Sequence, residues 1–202
     1  MRAQASRSLE PLAGAVVAAA RRLAAIYRLE LDWEPERFLI DPSCARELLR
    51  ERGPRSGLLV LEEAQELHCG LYIDPADCAD ADTIAEETSH LVCYAWHAAQ
   101  ERPVSRLGLE LQSEVDRYLL ARLDGRDALR HFRDFVWAEW LGPDDLERYA
   151  TAHRAALRYC RSLADRYPGR DDTPELVAEL RHFYRAGLER KLRADAEPLL
   201  RA

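Results

Sequence analysis

Residues 57–101 read GLLVLEEAQELHCGLYIDPADCADADTIAEETSHLVCYAWHAAQE, and inside this stretch the pattern of apolar residues changes from that of strands to that of a helix. Gly57-Leu58-Leu59-Val60-Leu61 and the run Leu67 to Ile73 are β-rich segments separated by a polar tip, EEAQE, and closed by Asp74-Pro75. That arrangement predicts an antiparallel hairpin, although EEAQELH also suits a single helical turn. After Asp80 the period becomes helical. Asp82 or Thr83 can cap a helix running from about Ile84 to Glu101, where Arg102-Pro103 stops it.

Upstream of the hairpin, residues 8 to 29 have helical spacing. Residues 30 to 42 lose it at Pro35 and Pro42, with Phe38-Leu39-Ile40 reading as a short strand, and a helix from Ser43 to Arg52 ends at Gly53-Pro54. Downstream, Ser105 caps a helix that ends at Gly125. Further helices are expected over about 127–141, 144–167 and from Thr173-Pro174 to about Ala196, proline being well suited to a first helical position. The fold class expected is α+β and mostly helical, with a small antiparallel sheet before a bundle of helices. No linker or repeat divides the chain, so residues 1–202 are read as one domain. Residues 1–56 supply N-terminal helices, 57–124 the hairpin and two candidate site helices, and 125–202 the C-terminal helices.

The chain has 202 residues, 48% hydrophobic and 32% charged, enough to bury a core without a metal or disulfide staple. A formal net charge of −7 argues against a nucleic-acid backbone or an anionic membrane as main partner. Five cysteines, Cys44, Cys69, Cys78, Cys93 and Cys160, are odd in number and share no C-x-x-C spacing, which suggests a reducing, cytoplasmic setting rather than a disulfide framework or zinc ribbon. No apolar run approaches the roughly 20 residues needed to span a bilayer. Pro11 to Ala20 (PLAGAVVAAA) imitates a signal peptide but runs on into Arg21-Arg22 and LAAIYRL, which favours an Ala-rich first helix.

Chemistry concentrates in Glu86-Glu87-Thr88-Ser89-His90. On a helix, Glu86 and His90 lie one turn apart and about 40° around the axis, so both can reach one metal ion. Glu87 falls on the flank, where a carboxylate can take a proton from a metal-bound water. This pattern resembles the zincin metallopeptidases, in particular their gluzincin branch, with the first histidine of H-E-x-x-H replaced by Glu86. The resemblance covers about residues 57–120 and implies a third, glutamate ligand on the next helix. Glu110 has the spacing for it, and Glu114, one turn on, is either ligand or support. It also implies an edge strand before the metal helix, in the slot of Leu71-Tyr72-Ile73, and a peptide or protein substrate. One divalent ion is the implied cofactor. A set of Glu86, His90 and a second glutamate brings the site's charge near zero and moves preference from zinc toward manganese or iron.

Two other readings use the same residues. Glu87-Thr88-Ser89-His90 and Glu179-Leu180-Arg181-His182 each match the Glu-x-x-His pair of ferritin-like di-metal carboxylate bundles. A catalytically silent zincin-like scaffold, or helical binding module, would keep the acidic cluster as structure. Cys93 reads as a small core side chain, His97 as a cleft or surface residue, and Trp96, Trp137 and Trp140 as core or groove aromatics. Arg181, Arg185, Arg190, Lys191 and Arg193 read as one solvated basic face balanced by nearby glutamates, or as an anion clamp. No Gly-rich phosphate loop, nucleophile elbow or Ser-His-Asp signature is present.

Overall fold

The computed structural model describes residues 2–48, 55–63, 66–135 and 142–194. Apolar residues at helical spacing make α1 (Arg2–Tyr27), which Pro11 does not break. Its buried stripe, Leu12, Val16, Ala20, Leu23 and Tyr27, repeats every three to four residues and faces the interior. A 3-10 turn at Pro35–Phe38 and the short α2 (Pro42–Leu48) follow. The strand expected at Phe38-Leu39-Ile40 is only a bridge: Leu39 pairs with Leu71, and Ile40 N–H donates to the Leu71 carbonyl at 2.9 Å. Pro35 explains why, because it sets the tight turn that consumes Phe38.

β1 (Gly57–Glu63) and β2 (Glu66–Tyr72) form the expected hairpin, antiparallel and in register from Gly57 opposite Tyr72 to Glu63 opposite Glu66. Gly70 permits a close approach, since a Cβ there would overlap the Ile40 side chain. The slot assigned to Leu71-Tyr72-Ile73 needs correction. All three are buried, and the strand without a second neighbour among the described residues is β1.

The remaining elements are helical: α3 (Ala81–Ala98), α4 (Arg106–Leu123), α5 (Arg130–Arg133), α6 (Pro143–Arg166), α7 (Thr173–Arg185) and α8 (Leu188–Leu192). Asp80 caps α3 by accepting from Asp82 N–H, and Ser105 caps α4 by accepting from Gly108 N–H. Of the helix expected over 127–141, residues 127–135 contain the short α5. The later part of that expected helix, with Trp137 and Trp140, lies outside the described residues. The last helix, expected to be continuous, breaks after Arg185, where Ala186 is extended and Gly187 starts α8.

α4 is the central element, packed between α3 and α6. Val115, Leu119, Tyr159, Leu163, Leu180 and Phe183 belong to one apolar cluster, whereas Leu12, Val16, Leu71, Ile73, Ile84 and Leu91 seat the hairpin on α1 and α3. The architecture is α+β and mostly helical, with one small antiparallel sheet. Among the described residues no helix is long and apolar enough to cross a membrane.

Candidate functional site

α3 and α4 carry carboxylates on the faces they turn toward each other, and burial forces each of these groups to find a partner. Glu87, His90, Glu110 and Glu114 are each only 8% exposed. They divide into two groups. In the first, His90 Nδ1 lies 3.2 Å from Glu87 Oε2, and His90 Nε2 lies 3.3 Å from Glu110 Oε2. The Nδ1 contact has hydrogen-bond geometry, while Nε2 is buried without a hydrogen-bond partner. Burial alone would lower the His90 pKa, but the flanking carboxylates, Glu110 before Glu87, outweigh it and hold the imidazole well above its usual value.

In the second group, Glu86 accepts from Arg117 Nη1 at 3.0 Å, and the same nitrogen lies 3.8 Å from Glu114. Glu114 also meets His153 Nδ1 at 3.1 Å and His131 Nε2 at 3.1 Å. Burial would raise its pKa, yet the two histidines and Arg117 bring it down to about 2. Glu86 goes the other way, pushed up to about 7 mainly by burial, with Arg117 opposing.

The residues singled out from sequence are therefore not gathered as expected. Glu87 and Glu110 meet His90, whereas Glu86 and Glu114 meet Arg117. Among the described residues no group of three or more His, Cys, Asp or Glu side chains is arranged to hold a metal ion. The physical reason lies in the partners. Both nitrogens of His90 already face carboxylates, and a guanidinium occupies the place between Glu86 and Glu114 that a cation would need. The donor set as placed does not fit the divalent ion implied by the resemblance. Glu179 and His182 do not join either: Glu179 is held by Arg166, Tyr159 and Tyr167, and His182 is exposed.

The first group opens on a cleft of about 470 Å³. Ser56, Gly57, Leu58 and Val60 border it along β1. Glu87, His90 and Tyr94 come from α3, Arg106, Leu109 and Glu110 from α4, and Arg148 and Tyr149 from α6. Arg148 donates to Asp145 at 2.6 Å and lies 3.8 Å from Glu110, which fixes the α6 wall. Glu86 and Glu114 do not line this cleft.

Behind the site, Asp116 accepts from Tyr27, from Ser89 at 2.5 Å and from Gln112 at 2.9 Å, and Gln112 in turn accepts from Lys191 at 2.8 Å. This buried chain locks α1, α3, α4 and α8 together. It also corrects the reading of the C-terminal basic residues as one solvated face. Lys191 is buried, Arg181 donates to the Ile26 carbonyl at 2.6 Å, and Arg185 to that of Tyr27 at 2.8 Å. His97 is likewise buried, its Nδ1 2.9 Å from the Cys93 carbonyl. Cys93 is in the core as expected, and Trp96 packs on its edge against Tyr184.

Sequence reasoning missed Arg148, Tyr149, His131 and His153. The first two stand 38 and 39 residues after Glu110, and the histidines find Glu114 across distances in the chain that no helical spacing reveals. Comparison with family models, with curated proteins and with solved structures finds no match to this chain.

Proposed function

We propose that the cleft under β1 is a hydrolytic site acting on a peptide or amide bond. The observation that carries this reading is the Glu87–His90–Glu110 group at the floor of a cleft bordered by β1, whose outer edge has no strand partner among the described residues. A strand edge offers free N–H and C=O groups with which an extended substrate can pair. Glu87 Oε2 accepts from His90 Nδ1 and steadies the ring, while its other oxygen makes no hydrogen bond among the described residues. That oxygen serves as general base for a water molecule. Water attacks the carbonyl carbon, its proton passing to Glu87. His90 Nε2–H, which faces Glu110 at 3.3 Å and stays protonated between the two carboxylates, donates to the departing amine; Glu87 then releases its proton to water and Nε2 regains one from water, restoring the imidazolium. Glu110 keeps that cation in place.

The metal-dependent form of this reading rests on the zincin resemblance, with Glu86 as a ligand, and the position of Glu86 against Arg117 does not support it. The scaffold reading predicts no turnover at all. Cleavage of a mixed peptide digest, followed by mass spectrometry with the wild type and Glu87→Gln, separates these. Bond cleavage that Glu87→Gln removes supports hydrolysis at this site, and its absence in the wild type leaves the scaffold.

A further inference from the structure

The hydrolytic reading leaves open what the cleft selects, and the wall of α4 bears on that question. Arg106 and Glu110 are four residues apart on α4 and both line the cleft, so they share a face about one helical turn, or about 6 Å, apart. Arg106 is exposed and has no hydrogen-bond or ion-pair partner among the described residues. It begins α4, whose first turn contains no acidic residue, so the positive end of the helix dipole adds to the guanidinium. His90 Nε2, buried 3.3 Å from Glu110 without a well-formed hydrogen bond, marks the floor of the same cleft as a place where a ligand acceptor is expected.

Charge then sorts the positions along the cleft. Two carboxylates, Glu87 and Glu110, stand at the floor, and the Arg148 guanidinium is already shared with Asp145 and Glu110. An anionic group is repelled from the floor and, among the described lining residues, finds a free cation at the Arg106 end. An extended chain advances about 3.3 Å per residue, so 6 Å corresponds to about two residues.

We propose that the cleft selects an extended peptide bearing a carboxylate about two residues from the bond over His90, and that Arg106 with the first turn of α4 receives it. This specificity rests on the hydrolytic reading for its purpose but not for its measurement. The carboxylate is either an Asp or Glu side chain or the chain's own C-terminus.

The experiment uses the full chain and fluorescently labelled extended hexapeptides in matched sets. One set carries Glu or Gln at each position in turn with an amidated C-terminus, and the other has no acidic side chain and a free or amidated C-terminus. Binding is followed by anisotropy for the wild type, Arg106→Gln, Arg106→Lys and Glu87→Gln. The wild type should bind the carboxylate member about tenfold more tightly, an effect weakened by salt. Arg106→Gln should erase that difference, Arg106→Lys should keep part of it, and Glu87→Gln should retain it. The first set reports a side chain and the second a terminus. Equal binding of matched peptides by the wild type, no binding at millimolar peptide, or a preference that survives Arg106→Gln would overturn the proposal. Cleavage without a carboxylate preference defeats the subsite and leaves hydrolysis standing. An Arg106-dependent preference without cleavage defeats hydrolysis and leaves the subsite.

Discussion

Replacing Arg117 by Met tests the account of the buried charges. Arg117 is the cation shared by Glu86 at 3.0 Å and Glu114 at 3.8 Å, and its side chain is only 14% exposed. Removing one partner of a buried pair typically costs about 3–5 kcal/mol. Glu86 retains 27% side-chain exposure, so water recovers part of that, and we expect a loss of about 2–4 kcal/mol. For a chain of this size the melting temperature should fall by about 5–15 °C. The loss depends on pH with a definite sign. Glu86 in the folded chain titrates near 7, above its usual 4.5, so its contribution to stability is fully present below about pH 4.5 and is lost as pH rises through 7. Without Arg117 the Glu86 carboxyl is pushed up further and the loss extends to higher pH, making the deficit small at pH 5 and largest at pH 8. Glu114 keeps His131 and His153 and should not reverse the trend. Urea denaturation followed by circular dichroism at pH 5, 7 and 8 measures the deficit. Adding Glu86→Gln to Arg117→Met should recover part of it, because the uncompensated charge goes too. A deficit under about 0.5 kcal/mol, or one equal at pH 5 and pH 8, refutes the assignment of Arg117 as the cation of this cluster.

Asp116→Asn offers a second readout. Burial pushes the Asp116 carboxyl up to about 6 despite three donors, so the wild type should lose stability from this group as pH rises from about 4 through 6. The variant should flatten that part of the profile while costing about 1–3 kcal/mol at neutral pH through a mispaired donor, both read from denaturant titrations. Gly70→Ala should destabilise the chain by about 1–3 kcal/mol, because its Cβ would overlap the Ile40 side chain. Combining it with Ile40→Ala should cost less than the sum of the two single changes, measured by thermal melting.

Local periodicity revealed the hairpin, α3 and α4; Asp74-Pro75 and Ser105 marked their boundaries as expected, whereas α3 is capped by Asp80, two residues before the Asp82 or Thr83 expected, because Asp80 can accept from Asp82 N–H. The break between α7 and α8 carried a weaker signal. Gly187 is compatible with a helix interior at modest cost, and contacts distant in sequence, Lys191 with Gln112 and Leu188, Leu192 and Ala194 with the core, accompany the broken form. Within the site, Glu87, His90 and Glu110 were legible because helical geometry relates residues three or four apart and the resemblance supplied the second helix. Which neighbour faces the cleft was not legible. Glu86 and Glu87 differ by about 100° of helix rotation, and the choice between them is made by Arg117, a residue on another helix. His131 and His153 had no local signal, since their shared partner Glu114 lies on a different element.

The measurement that bears most directly on the hydrolytic site compares Glu86→Gln with Glu87→Gln in cleavage of a peptide mixture, with metal content determined on protein purified without a histidine tag. Glu87 lines the cleft and Glu86 does not. We therefore predict that Glu87→Gln lowers turnover by about 10²–10⁴-fold, that Glu86→Gln leaves turnover largely intact, and that turnover does not track bound metal. Stoichiometric metal and turnover lost together in Glu86→Gln would contradict the account and return Glu86 to the role of ligand.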